Sequence, residues 1–146
     1  MSDKYALGGL VITAVSGWLD ISHDIEAENV PFTLAKNDGV GALQFSVASY
    51  KGGVNPEITL EHLRALLTDF ALSRELGKGF DFHACGKPHL ICGQSHNSGS
   101  EFVRVWYCTN GQDVVLVTYV CEKGLQTSEL LDCEKMVSDL EFTHRP

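Results

Sequence analysis

Residues 102–122 read FVRVWYCTNGQDVVLVTYVCE, and this stretch decides the fold. Phe102 to Cys108 and Val114 to Glu122 are both rich in β-branched and aromatic residues, which favour strands. Between them lies Asn110-Gly111, a dipeptide that accepts the positive φ angles of a tight hairpin turn. The stretch therefore predicts an antiparallel hairpin, and a further strand over Pro88–Ser95 extends the hairpin to a three-stranded meander.

Two helices are predicted, one before the meander and one after it. Over residues 56–76, leucine and phenylalanine recur at three- and four-residue steps, the spacing of a continuous apolar stripe. Asn55 is placed to cap this helix, Pro56 suits its first position and Gly77 suits its end. Gln126–Leu140 has the same kind of apolar stripe and predicts the second helix.

The first third of the chain carries strand signals. Leu10–Val15 predicts an opening strand, and Phe32–Ala35 with Gly41–Tyr50 predicts a hairpin around the turn at Lys36–Gly39. The order is strands, helix, strands, helix. This order indicates an α+β chain with a largely antiparallel sheet.

This order resembles the PsbP-like superfamily, which includes the photosystem protein PsbP, the Ran-binding Mog proteins and the DcrB-like bacterial proteins. The shared features are Gly17-Trp18 after an opening strand, Ser46–Tyr50 ending a hairpin, the long helix, Arg104–Tyr107 in the meander, and Leu140–Phe142 after the last helix. The resemblance implies an α/β/α sandwich whose sheet is flanked by two main helices. It also implies a non-enzymatic binding role and brings no catalytic residues.

The chain has 146 residues, with 19 acidic and 11 basic side chains and a formal net charge of −8. That length fits one domain over residues 1–146. The negative charge repels phosphate and anionic lipid, so we expect no nucleic acid and no membrane among the partners. The expected partner is another protein, and the charge favours a basic one.

The compartment is predicted from the N-terminus and the cysteines. The apolar stretch Leu7–Val15 is short and follows Asp3, so we expect no signal peptide. Five cysteines, an odd number, fall mostly on predicted strands and helices, which indicates reduced core thiols. We therefore expect a cytoplasmic protein with no cofactor.

The candidate protein-binding site is a stretch of acidic residues that contains no lysine or arginine. It contains Asp20, Asp24, Glu26 and Glu28 within a segment, residues 20–29, that reads as an exposed loop. Because opposite charges steer association, a basic partner is expected to meet this loop. The alternative is an ordinary solvated loop.

A cluster of histidines and cysteines lies between His83 and His96. Zinc prefers four nitrogen or sulfur ligands in a tetrahedron, but the cluster has no Cys-x₂-Cys knuckle. On a strand, His89 is expected to face away from Cys92 and His96. We assign no metal site and no catalytic residue. The candidates for an alternative metal site are Cys85, His89, Cys92 and His96.

The sequence therefore predicts a non-enzymatic bacterial protein-binding module. Its most specific version is an immunity protein that neutralises a cognate toxin, or a secretion-associated chaperone that acts on an effector. Two alternatives stay open. One is a metal- or thiol-dependent enzyme built on the cluster from His83 to His96. The other is a structural subunit that pairs through an exposed hairpin edge, so the chain is expected as a monomer or a homodimer.

Overall fold

The computed structural model describes residues 3–24, 31–49, 57–87 and 89–143. These residues form a seven-stranded sheet, a three-stranded sheet and two helices. The strands are β1 (Lys4–Leu7), β2 (Leu10–Thr13), β3 (Trp18–Asp20), β4 (Phe32–Lys36), β5 (Gly41–Ser49), β6 (Gly79–Cys85), β7 (Leu90–Ser98), β8 (Glu101–Thr109), β9 (Asp113–Glu122) and β10 (Glu141–Phe142), and the helices are α1 (Leu60–Ser73) and α2 (Leu130–Ser138).

The larger sheet has the strand order β3-β4-β5-β9-β8-β7-β6, and the smaller one has the order β1-β2-β10. Every strand pair is antiparallel. α1 packs on β7 and β8 on one face of the larger sheet. On the other face, α2 and the smaller sheet share one apolar core with it. The predicted α+β sandwich with a largely antiparallel sheet and two helices is confirmed.

The predicted β8–β9 hairpin lies in the middle of the larger sheet. Both faces of β8 are buried, because Trp106 belongs to the core beneath α2 while Val105 and Tyr107 belong to the core beneath α1. The turn contains Gly111 at a φ of 101°, the positive value expected of Asn-Gly. The Asn110 side-chain oxygen closes the turn by accepting hydrogen bonds from the backbone N–H groups of Gln112 and Asp113.

Helix α1 is shorter than the predicted range 56–76. Thr59 caps it: its hydroxyl accepts the His62 backbone N–H at 3.4 Å, and His62 Nδ1 accepts the Thr59 N–H at 3.0 Å. Glu57 has a φ of 50°, outside the helical region, so the chain is not yet helical there. Asn55, the predicted cap, lies outside the described residues.

Three other boundaries differ from the prediction. Residues 126–128 form a 3₁₀ turn, so the second α-helix begins at Leu130 rather than Gln126. β7 continues to Ser98, beyond the predicted end at Ser95, and pairs with β8 across Gly99 and Ser100. β6 was not predicted; it is an edge strand whose residues are mostly exposed and which has a bulge between Phe80 and His83.

A buried carboxylate joins three parts of the fold. Glu129 lies just before α2 and is 2% exposed. It accepts the Tyr119 hydroxyl at 2.8 Å and the backbone N–H groups of Gly41 and Val40 at 3.1 and 3.2 Å. Burial, with hydrogen bonds to Cys121 and Glu129, raises the pKa of Tyr119, so this hydroxyl remains a donor. A buried carboxylate without hydrogen bonds would raise the free energy of the folded protein. These three bonds are therefore kept, and they hold the β4–β5 turn against β9 and the start of α2.

We predict that Glu129→Gln lowers the free energy of unfolding by about 1–3 kcal/mol, because the amide nitrogen cannot accept the N–H groups that the carboxylate oxygen accepts. Urea denaturation measures this change. Glu75→Gln, at an exposed position, is the matched control and is expected to stay within about 0.5 kcal/mol. An unchanged midpoint for Glu129→Gln would contradict the role of the carboxylate.

Candidate functional site

One face of the larger sheet carries a groove beside the part that α1 covers. α1 packs on β7 and β8, while the groove lies over β4, β5 and the end of β9 and has a volume of about 480 Å³. We call it the sheet-face groove. Its lining includes Ile21, Ala35, Val40, Ala42, Glu101, Val120 and Glu122.

The groove presents apolar side chains to solvent. Val40, at the tip of the β4–β5 turn, is 38% exposed. Leu19 of β3 is 48% exposed and pairs with Ala35, one of the lining residues. Because Trp18 is buried on the α2 side, strand alternation turns Leu19 to the groove side. The remaining aliphatic lining residues are partly exposed, and exposed apolar side chains around a groove are a feature of interaction sites.

Two glutamates form the acidic rim of the groove. Glu101 of β8 and Glu122 of β9 are direct partners in the antiparallel register, and both are exposed. Like charges directly opposite one another destabilise a sheet. The lysine in the lining, Lys36, has its Nζ 4.0 Å from Asp132 Oδ2 on the other face. A cation placed at the rim would therefore relieve the repulsion between the two glutamates.

The described part of the predicted acidic stretch adjoins the groove lining in the sequence, but alternation along β3 places the Asp20 side chain on the Trp18 side of the sheet. Asp20 ends β3 and its carboxylate accepts the Ser22 N–H at 2.9 Å. Desolvation raises the pKa of Asp20, but hydrogen bonds from Ser22 and the charge of His23 together outweigh it, so the pKa lies below its usual value. Asp24 ends a 3₁₀ turn, and Ile21, next to Asp20, lines the groove. The other two acidic candidates, Glu26 and Glu28, lie outside the described residues.

The histidines and cysteines between His83 and His96 do not converge. Cys92 is buried in the core beneath α1, whereas the His89 ring lies edge-on to Phe142 on the opposite side, with centroids 5.1 Å apart. His96 is buried, with Nδ1 3.2 Å from the Gly77 carbonyl oxygen. Across residues 3–24, 31–49, 57–87 and 89–143, no group of three or more His, Cys, Asp or Glu side chains is placed to hold a metal.

The buried thiols are poor nucleophiles. Burial raises the pKa of Cys92 to about 11 and also raises the pKa values of Cys108, Cys121 and Cys133. A nucleophilic cysteine needs the opposite shift. Cys85 is the exposed thiol, and it donates to the Lys87 carbonyl at 3.1 Å. All five cysteines are free, and four of them are buried; the expectation of core thiols fails for Cys85, which is exposed.

Glu101 and Glu122 were not among the predicted site residues, although their pairing can be worked out from the sequence of the predicted hairpin. Counting outward from the Asn110-Gly111 turn pairs Thr109 with Val114 and, eight steps further, Glu101 with Glu122. The groove floor could not be found this way, because its residues come from separate segments that only the folded sheet brings together.

No helix among the described residues is long and apolar enough to cross a membrane.

The thiol environments predict the reactivity of native protein with a disulfide reagent such as DTNB. We expect one of the five thiols to react rapidly, and Cys85→Ser to remove that reaction. Cys85→Ser is expected to leave the unfolding midpoint unchanged, whereas Cys92→Ser buries a hydroxyl in an apolar cluster and costs about 1–3 kcal/mol. Rapid reaction of two or more native thiols would contradict this assignment.

No family model and no curated protein sequence matches the chain, but solved structures do. The solution structure of cyanobacterial PsbP (CyanoP) from Synechocystis sp. PCC 6803 matches with a TM-score of 0.64 at 9% identity, over 97% of this chain and 92% of that chain. The crystal structure of the Saccharomyces cerevisiae Ran-binding protein Mog1p matches with a TM-score of 0.63 at 10% identity, over 98% and 96%.

A crystal structure from Bacteroides thetaiotaomicron also matches, with a TM-score of 0.59 at 14% identity, over 95% of this chain and 47% of that chain. Identities this low establish a shared fold. The resemblance drawn from the order of elements is thereby confirmed: the chain has the PsbP/Mog1-like fold.

Proposed function

We propose that this chain is a non-enzymatic protein-binding module whose sheet-face groove binds a basic partner. The observation that carries the proposal is the direct pairing of Glu101 with Glu122 beside an exposed apolar floor. The fold adds support, since one protein that shares it is named for binding Ran.

The groove matches a basic and apolar segment of a partner. A guanidinium or ammonium group between the two glutamates would neutralise charges that now repel each other, and the planar guanidinium can donate hydrogen bonds to both carboxylates. Apolar side chains of the same segment would cover Val40 and the lining alanines. The net charge of −8 would speed the encounter with a basic partner, an effect that salt weakens.

The acidic stretch would extend this surface. Asp20, Asp24, Glu26 and Glu28 carry four carboxylates without an intervening lysine or arginine, and the stretch begins next to Ile21 of the groove. We propose that it steers the partner. Changing the four residues to their amides is expected to weaken capture and to flatten its salt dependence.

Two more specific roles would use a basic partner in this way. One is an immunity protein that neutralises a cognate toxin, and the other is a secretion-associated chaperone of an effector, in either case in a bacterial cytoplasm. The free thiols support a reducing compartment. A toxin or secretion gene beside the coding gene would support these roles, and a metabolic operon would contradict them.

To test the groove, peptides that bind the wild-type protein are selected from a random peptide display library. We expect selected peptides to combine lysine or arginine with apolar residues. Binding of a purified peptide, measured by calorimetry, is expected to weaken about tenfold or more in the double variant Glu101→Lys/Glu122→Lys, because like charges then face each other across the interface.

The matched control is Asp69→Lys/Glu75→Lys, which changes the net charge equally at exposed positions on and after α1. This control is expected to retain most of the affinity. Equal loss in both double variants would show only long-range charge effects, and unchanged affinity in Glu101→Lys/Glu122→Lys would remove the groove from binding. Either result contradicts the proposal.

A further inference from the structure

A second and larger cavity lies at the other end of β8 and β9. The groove is bordered by Glu101, whereas this cavity is bordered by Asn110 just beyond the opposite end of β8. Eight residue steps along β8 separate these ends by about 27 Å, from the rise per residue of a strand. The cavity has a volume of about 920 Å³, within the usual range for small-molecule sites.

Three parts of the fold enclose this cavity, which we call the terminal cleft. One wall is the end of the β1–β2 pair, where Lys4 lies opposite Thr13. Another is the segment from Ser138 to Phe142, which leads from α2 into β10. The third is formed by His89 before β7 and by the β8–β9 turn at Asn110.

His89, one of the lining residues, carries a hydrogen-bonding atom that no described residue uses. Its Nε2 is buried and has no hydrogen-bond partner among the described residues. Desolvation lowers the pKa of His89, so the ring is neutral near pH 7 and one of its nitrogens carries a lone pair. A buried polar atom without a hydrogen-bond partner carries an unfavourable desolvation free energy. A ligand that forms a hydrogen bond to this atom offsets that free energy.

The charge of the lining favours a cation. Asp139 and Glu141 contribute two carboxylates, and the carbonyl end of α2 adds partial negative charge. Asp139 is 3.3 Å from Lys135 Nζ, while Glu141 has no ion pair within the described part of the chain. Phe142 adds an aromatic ring, a surface that attracts cations. Lys4 is the one basic side chain of the lining, and it is exposed.

We propose that the terminal cleft binds a small organic cation, an aliphatic amine or guanidine. The cation contacts the carboxylate of Glu141 and lays its alkyl part against Phe142, and a turn of the His89 ring toward the cleft lets the cation donate an N–H to Nε2. Lys4 opposes binding by charge repulsion. This site is separate from the sheet-face groove and does not depend on a protein partner.

Calorimetric titration of the full chain tests the ligand class. The probes are putrescine and agmatine, with 1,4-butanediol as an uncharged control of the same length and succinate as a four-carbon control of opposite charge. We expect the two amines to bind at one site, and both controls to bind about tenfold more weakly or worse, the equivalent of about 1.4 kcal/mol. Stronger binding of succinate, or no binding of either amine, would overturn the proposal.

Variants of the lining test the location. Glu141→Gln and His89→Phe are each expected to weaken amine binding severalfold, and Lys4→Gln is expected to strengthen it. Glu141 is exposed, so Glu141→Gln gives a result even where His89→Phe fails to fold. Glu75→Gln, at an exposed position outside the lining of both cavities, is the matched control and should leave amine binding unchanged.

Unchanged amine affinity in Glu141→Gln, or equal loss in Glu75→Gln, would show general counter-ion binding and overturn the proposal. The two proposals fail separately, because peptide capture reports on Glu122 and amine binding reports on Glu141.

Discussion

The carboxylate of Glu129 holds the tip of the β4–β5 turn against the rest of the molecule. It brings together a side-chain donor, Tyr119, and two backbone donors, Val40 and Gly41, inside a core where water cannot replace them. The space is tight: a Cβ at Gly39 would lie 2.5 Å from Glu129 Oε2. Because Val40 and Gly41 also line the sheet-face groove, the same bonds that close the core determine the shape of the proposed binding surface.

The described acidic residues differ in what they do for the fold. Asp132 accepts the Trp18 indole N–H at 3.0 Å, and Glu134 accepts Arg104 Nε at 2.7 Å and the Trp106 indole N–H at 3.2 Å. These carboxylates on α2 attach the helix to the sheet. The same arginine, 4% exposed, also donates to the backbone of the β6 bulge.

Within the part of the chain that the structure describes, the Glu101 and Glu122 carboxylates make no such bond, and they repel one another instead. This difference separates the acidic residues that stabilise the fold from those proposed to bind a partner. It also explains why net charge alone, which counts all of them equally, indicates a basic partner without locating the surface.

The parts of the fold that the sequence predicted are those governed by local patterns. The β8–β9 hairpin follows from its β-branched residues and the Asn-Gly turn, and α1 follows from its leucine stripe. The start of α1 was placed too early because Asn55-Pro56 is a good cap by itself, while the capping box of Thr59 and His62 is the one the chain uses. Edge strand β6 was missed although Phe80, Phe82 and Ala84 alternate in its sequence, because its bulge between Phe80 and His83 leaves both phenylalanines exposed instead of packed on one face.

The candidate site was predicted only in part, for a similar reason. A run of acidic residues is visible in the sequence, but the groove beside it joins Ile21, Val40 and Val120, which only tertiary structure brings together. The cysteine and histidine cluster shows the converse. Its residues are close in the sequence, yet strand alternation sends Cys92 and His89 to opposite faces of the sheet.

Hydrogen exchange at the backbone amides of Val40 and Gly41 tests most directly whether Glu129 fixes the groove. In the wild-type protein both amides should exchange slowly, because both donate to the buried carboxylate. In Glu129→Gln they should exchange much faster while the central amides of β8 remain protected. Exchange of Val40 and Gly41 in the wild-type protein at the rate of unprotected amides would contradict the account.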